Sequence, residues 1–573
     1  MGRGAKEMEV GKAGVMDKRL DRISFLLGSA ILVFLASALL LNSALFALCF
    51  PISPLGFVVA LGSTVSFIDW GTRKYFDQKR LLTMGMIVSV FLSILIASIL
   101  ISGLFYDVSY DGQTYHQEAV SRLNHGWNPV RDPPLQNEYG IWINHYPKAP
   151  WIYAAQLYKI TGRMEQAKSA NTLLMFAAFF LSLAAFLRFD RTRRNRALLF
   201  SLLVSLNPVC VYQSLSFYVD GQLASLLPAL AALSYLLFRD PDPPAVLIFI
   251  SCTVMLINTK FTGIVYAVVF HAALATWFLM KRRKDVFRFG GIILTSYVLA
   301  LFFVGYNPYV TNVLRKGHPF YPLAGPKSAN VIIHQEPENF QHAGRFKKLL
   351  TSIFSQTENV SRRETTKWKW PFSLDIPELA ALTTPDSRIA GFGPWFGGAF
   401  LLSIIIILTG LPRIVVRQAD PISATLLGMI FFLALSVLAN PESWWARYAP
   451  QLWMIPVGAS LMGLYGSKKK ALIYISRLLA VALALNIFMV SCAYLTGQSI
   501  GTWRLKRQLQ YLAGCPPPAT VNFHGFTANK LRFAEWGILY KESEDIPNER
   551  KRVIRLFGSE TQVGDCRSPQ REI

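Results

Sequence analysis

The stretch "LLTMGMIVSVFLSILIASILISGLFYDVSYDG", residues 81–112, runs from Leu81 to Tyr106 without one charged side chain and then presents Asp107 and Asp111. About twenty consecutive apolar residues suffice to cross a bilayer as a helix. The run therefore reads as a membrane span over about 82–105, and the aspartates fall where the chain leaves the hydrocarbon. Tyr115, His116 and Glu118 follow at once. Two readings stay open for such a pair: turn and helix-end aspartates, for which "YDG" is an ordinary signal, or the chemical centre of an enzyme.

Similar apolar runs recur along most of the chain. Of its 573 residues, 52% are hydrophobic and only 16% charged, with mean hydropathy +0.34. Soluble domains are usually about a quarter charged. The composition thus indicates a polytopic, all-α membrane protein and excludes a soluble enzyme carrying a single anchor. No small-residue cleavage pattern leading to a soluble chain follows the first run, so it reads as a retained span. The net charge of +24 does not indicate nucleic acid. Much of it sits in short links between apolar runs, as the positive-inside tendency requires, and the surplus suits an anionic lipid or a phosphate-bearing substrate.

Charge bookkeeping predicts thirteen spans, near 23–42, 52–69, 82–105, 170–187, 197–216, 222–238, 244–258, 261–280, 289–305, 395–411, 422–438, 448–466 and 471–493. The basic links "GTRKYFDQKR", "RFDRTRRNR", "KRRKDVFR" and "GSKKK" then fall on the cytoplasmic side. The long segments 106–168 and 306–393 and the polar tail from 494 fall outside. Three parts follow: residues 1–81, a cytoplasmic N-terminus and accessory transmembrane hairpin; 82–493, the transmembrane core with its outer loops; and 494–573, an extracytoplasmic tail. Cys515 and Cys566 lie in that tail and are placed to form one disulfide if it is outside.

This topology gathers the unusual polar residues at one membrane face: Asp107, Asp111, His116, His145, Lys148, Asp220, Lys260, His318, Glu442 and Arg447. Asp111 is the candidate general base, accepting a proton from an attacking hydroxyl. Asp107 either holds the acceptor, orients a cation or is a solvated cap. In "NHYPKAPW", His145 would shape an acceptor or phosphate pocket, while Lys148 reads more readily as an ordinary loop residue than as a phosphate ligand. Lys260 in "NTKFTG" has no charged neighbour in sequence, so it either snorkels to the interface or neutralises a phosphate. Arg447 in "WWARYAPQLW" offers a rigid donor fork for the same group. Trp444, Trp445 and Trp453 are candidate pocket walls, though interfacial tryptophans are common. Asp220 in "YVDG" is a pocket residue or a turn. The six cysteines form no zinc pattern, and a hard divalent cation at Asp107 and Asp111 remains an open alternative.

The outward aspartates after an early span, "HYPKAPW", "TKFTG" between spans and a late outer "RY" (Arg447, Tyr448) resemble bacterial membrane glycosyltransferases of the GT-C superfold, in the protein-mannosyltransferase-like and aminoarabinose-transferase-like group. The resemblance covers about residues 80–465. It implies a GT-C-like helical core in a bacterial inner membrane, with active site and C-terminus facing the periplasm. It further implies a hexosyl- or pentosyltransferase moving a sugar from polyprenyl phosphate to a lipid, glycan or protein. The family's base falls on Asp111 or Asp107, and its phosphate-handling cations on Lys260 and Arg447; Tyr448 and His116 are further candidate substrate- or phosphate-binding residues. Two departures from the pattern are an extra hairpin before the aspartate loop and aspartates four apart instead of adjacent. The alternatives are a lipid-linked glycan polymerase or ligase, which would depend on outer Arg or His residues instead of Asp111, and a transporter or flippase. Transporters bury their ionisable groups near mid-membrane, whereas these cluster at its edge.

Overall fold

The computed structural model describes residues 3–326, 328–329, 335–359, 364–386, 388–415, 421–544 and 553–564. Among the described residues, nine helices are long and apolar enough to cross a membrane: Arg19–Ala47, Leu55–Tyr75, Arg80–Leu104, Met164–Phe189, Asp220–Arg239, Phe261–Lys281, Arg283–Val304, Ile422–Ala439 and Lys470–Ala513. These match nine of the thirteen expected spans. Two more, Pro243–Thr259 and Phe396–Leu411, are shorter apolar helices.

The remaining two expected spans are not continuous helices. The run at 197–216 divides into Arg194–Ser205 and Pro208–Gln213. Asn207 causes the break, because its side chain caps the second piece by accepting from Val209 N at 3.0 Å, and Pro208 occupies the first helical position. The run at 448–466 starts as two 3₁₀ turns, Ala446–Tyr448 and Pro450–Trp453, before the helix Met454–Gly466. The two interruptions hold each other. Asn207 Nδ2 donates to Pro450 O at 2.8 Å, and Trp453 Nε1 donates to Leu203 O at 2.7 Å. Backbone that leaves helix geometry inside a membrane protein must be satisfied by neighbouring protein groups, as here.

The first helix lies inside the bundle. Phe25, Leu26 and Phe34 are buried, and Phe34 meets the rings of Phe57, Phe91 and Tyr153 edge-on at 5.2, 5.8 and 6.0 Å. Gly28 allows its close approach to the helix Ala170–Phe189, since a Cβ there would lie 2.7 Å from Leu181 Cγ. Small residues at such crossings let helix backbones pack where the hydrophobic effect gives no drive.

The C-terminal part amends the all-α expectation. The last long helix does not end near 493 but continues unbroken to Ala513. A four-stranded sheet follows, in the order β2-β1-β4-β3, with β1 Ala519–Asn522, β2 Tyr540–Glu542, β3 Val553–Arg555 and β4 Gln562–Gly564. β1 and β2 pair in parallel across the helix Ala528–Glu535, and the other pairs are antiparallel. Leu505, Leu509 and Leu512 of the long helix pack with Val521, Phe533, Leu556 and Val563 beneath the sheet. Strands of three or four residues carry too little alternation to register as a pattern in the sequence. Cys515 is disulfide-bonded, while Cys566, its expected partner, lies outside the described residues.

Candidate functional site

The helix Arg80–Leu104 ends at Phe105 in extended backbone. The bend that follows is anchored by Asp107. Its Oδ1 accepts from Ser109 N at 2.8 Å and its Oδ2 from Phe217 N at 2.7 Å, and the residue is 1% exposed. Burial raises this carboxyl above its ordinary range. Beyond it, Gly112–His116 forms a single π-helical turn, a widened coil that is uncommon and often found at functional sites. Only a glycine fits at 112, because a Cβ would run into the Asp107 carboxylate and Ser109 Oγ. Asp111 stands at the head of this turn.

Three other parts of the chain converge on Asp111. Asp220 opens the helix Asp220–Arg239. Lys260 is the extended residue joining Pro243–Thr259 to Phe261–Lys281, and its Nζ pairs with Asp220 Oδ1 while lying 4.1 Å from the Tyr448 ring centroid. Arg447 sits on the 3₁₀ turn Ala446–Tyr448, which the Pro450 interruption holds at this end of the bundle. Its Nη1 is 3.2 Å from Asp111 Oδ2 and 3.4 Å from Asp220 Oδ2. Its guanidinium lies over the rings of Trp445, Tyr218 and Tyr448 at 4.7, 4.8 and 5.1 Å. Planar stacking and a fork of donors are what distinguish arginine from lysine at such a position.

The third carboxylate at Arg447 belongs to Asp386, which the sequence reading missed. Its Oδ1 is 3.1 Å from Arg447 Nε and its Oδ2 is 3.7 Å from Arg388 Nη2. Burial raises its carboxyl, and the two arginines oppose that shift. The signal available was topological: "TTPDSR" lies in the second outer segment, on the same predicted face as Arg447. The Arg447–Asp386 contact does not have hydrogen-bond geometry. Among the described residues, Arg447 Nε, Asp386 Oδ1 and Trp445 Nε1 are buried and without a hydrogen-bond partner. Arg447 Nε is thus engaged with Asp386 by charge, and Trp445 Nε1 is a buried N–H donor without a partner in the same cluster, which carries a desolvation cost.

The other expected site residues divide. His116 borders the cluster and is surrounded by the charges of Asp111, Asp220, Arg447 and Lys260. Its Nδ1 accepts from Trp151 Nε1 at 2.7 Å. Indole nitrogen only donates, so the neutral ring carries its proton on Nε2. Burial lowers the His116 pKa to about 4. Tyr448 supplies a ring to both cations. His145 pairs instead with Asn312 Oδ1 at 2.7 Å and packs edge-on against Tyr321. Lys148 is buried, with Nζ donating to the carbonyls of Asn144 and Tyr146. Burial drives its pKa well down, with no neighbouring charge contributing. His318 accepts from Phe320 N, and Glu442 accepts from Trp444 Nε1 at 2.6 Å. Trp453 is committed to Leu203, as described above.

Both Asp107 oxygens accept backbone amides, and Asp111 faces Arg447. Among the described residues, no group of three or more His, Cys, Asp or Glu side chains is placed to hold a metal ion.

No family model matches the chain, and no curated protein matches it. One similar solved structure is ArnT from Cupriavidus metallidurans, crystallised with undecaprenyl phosphate. The two share 13% identity with a TM-score of 0.38 over 83% of this chain and 97% of that one.

Proposed function

We propose that this protein is a glycosyltransferase of the bilayer surface, moving a sugar from a polyprenyl-phosphate donor to a hydroxyl or amine of a lipid, glycan or protein. The observation that carries the reading is the Arg447 guanidinium, stacked among three aromatic rings and 3.2 Å from Asp111, with the buried, unpartnered Trp445 Nε1 beside it. A cation beside both a carboxylate and an unspent N–H donor suits a reaction in which one group loses a proton beside another that gains negative charge.

In that reaction Asp111, whose side chain is 22% exposed against 2% for Asp220, takes the acceptor's proton. The acceptor's lone pair forms the new bond to the anomeric carbon. The bond from that carbon to the phosphate oxygen breaks, and its electrons remain on the phosphate. Attack from the face opposite the leaving group inverts the anomeric centre. Arg447 and Lys260 stabilise the charge that builds on the departing phosphate, and Trp445 Nε1 adds a further donor. Asp220 holds Lys260 and Arg447 in place. The inner links are short, which argues against a nucleotide-sugar donor.

The test is transfer in proteoliposomes from a panel of radiolabelled polyprenyl-phosphate sugars. Transfer from at least one donor, abolished by Arg447→Ala, is the expected result. Absence of transfer from every donor to extracted lipid, glycan and protein acceptors would overturn the enzyme class.

A further inference from the structure

The sheet-bearing C-terminal part is fastened directly to the bend that carries Asp111. Arg532, on the helix Ala528–Glu535, is 2% exposed. Its Nη2 donates to Asp107 O at 2.6 Å and to Glu165 Oε1 at 3.0 Å. Its Nη1 donates to Gln113 Oε1 at 2.7 Å and to Asn529 Oδ1 at 2.9 Å. One guanidinium therefore holds the chain at position 107 and again at position 113, on either side of Asp111.

The surrounding contacts act in the same direction. Gln113 Nε2 donates to Gly558 O at 2.5 Å, and Thr527 Oγ1 donates to Thr114 O at 2.8 Å. The ring of Phe526 meets Tyr110 edge-on at 5.5 Å. Glu165 completes the set, accepting from Asp107 N at 2.9 Å and pairing with Lys168. A π-helical turn is a rare backbone form, and this one is tied from outside at Gln113 and Thr114. Arginine suits this place because its fixed fork meets a carbonyl, a carboxylate and an amide at once.

We infer that Arg532 is a positioning residue for the transfer reaction: it sets where the Asp111 carboxylate stands relative to Arg447. Arg532 touches neither donor nor acceptor, and it acts through Asp107 O and Gln113. This assignment rests on Asp111 being the base, yet the structural half of it is measurable without any activity. Misplacing a reacting group by about an ångström costs on the order of a hundredfold in rate, without a corresponding loss of binding.

The experiment uses the full chain in detergent micelles, as wild type, Arg532→Gln and Gln113→Ala. Hydrogen exchange is followed over residues 106–116, and transfer kinetics are measured on the same preparations. Arg532→Gln is expected to raise exchange in that segment at least about tenfold and to lower kcat by about ten- to a hundredfold, leaving the donor KM within about twofold. Gln113→Ala shifts the same quantities less and covers the case in which Arg532→Gln does not fold. Arg532→Lys recovers only part of kcat, since an ammonium cannot span Asp107 and Gln113 together. Unchanged exchange at 106–116 in the folded variants would overturn the inference. So would a raised KM with kcat intact. If wild type transfers no sugar, the functional reading fails on its own, and the exchange data still decide whether Arg532 holds the bend.

Discussion

Arg447 Nη1 stands 3.2 Å from Asp111 Oδ2, although 336 positions separate the two residues in the chain. The same guanidinium also faces Asp220 and Asp386. Three buried or half-buried carboxylates around one arginine and one lysine are stable only while the cations remain, because an unpaired buried charge is strongly destabilising. In the proposed reaction the donor's phosphate takes over part of this fork.

Replacing Arg447 by lysine keeps the charge and removes the fork and the stacking. Transfer efficiency, kcat/KM, is expected to fall about a hundred- to a thousandfold, the usual cost of removing a donor aimed at a developing anion. Steady-state kinetics in proteoliposomes read this directly. Retention of more than a third of wild-type kcat/KM would exclude Arg447 from phosphate handling.

Asp386 competes for the same guanidinium. Asp386→Asn is therefore expected to tighten binding of sugar-free polyprenyl phosphate by about three- to tenfold, roughly 0.7–1.4 kcal/mol. Isothermal titration into micelles measures it. Weaker binding in the variant would mean that Asp386 supports the anion instead of competing with it.

His116 gives a pH signature. Its pKa is about 4 in the folded protein, against about 6.5 when unfolded. Between those values the unfolded chain binds more protons, so stability is expected to fall as pH drops from about 6.5 towards about 4 and to be unaffected by this group above that window. His116→Gln should flatten that part of the profile of melting temperature against pH. An unchanged slope would show that other groups carry it.

Lys148 separates two roles. With its amino group buried against two carbonyls and, among the described residues, no ion pair, Lys148→Met is expected to raise the melting temperature by a few degrees, about 1 kcal/mol, and to leave transfer within about threefold. Loss of transfer without loss of fold would instead place Lys148 at the donor phosphate.

Much of this organisation was legible in the sequence. Apolar runs and basic links locate nine spans, and topology alone puts Asp111, Asp220, Lys260, Arg447 and Tyr448 at one end of the bundle, where they meet. The breaks at Asn207–Pro208 and Pro450 were written in the sequence as well, but hydropathy averages over them. Asp107 could not be told from Asp111 by spacing, since what separates them is the Phe217 amide, 110 residues away. Asp386 sits in a turn-like "PDS", and Arg532 lies in a part whose strands are too short to announce themselves. Both gain their meaning only from long-range contacts with Arg447 and with Asp107 and Gln113.

The most direct measurement is single-turnover transfer by Asp111→Asn in proteoliposomes preloaded with a radiolabelled polyprenyl-phosphate sugar that wild type accepts. Asparagine keeps the shape and a hydrogen bond to Arg447 but cannot take the acceptor's proton. A rate lowered by about a hundred- to ten-thousandfold, with donor binding retained, is the result expected of a general base. Transfer at the wild-type rate would contradict the assignment of Asp111 and, with it, the mechanism built on its pairing with Arg447.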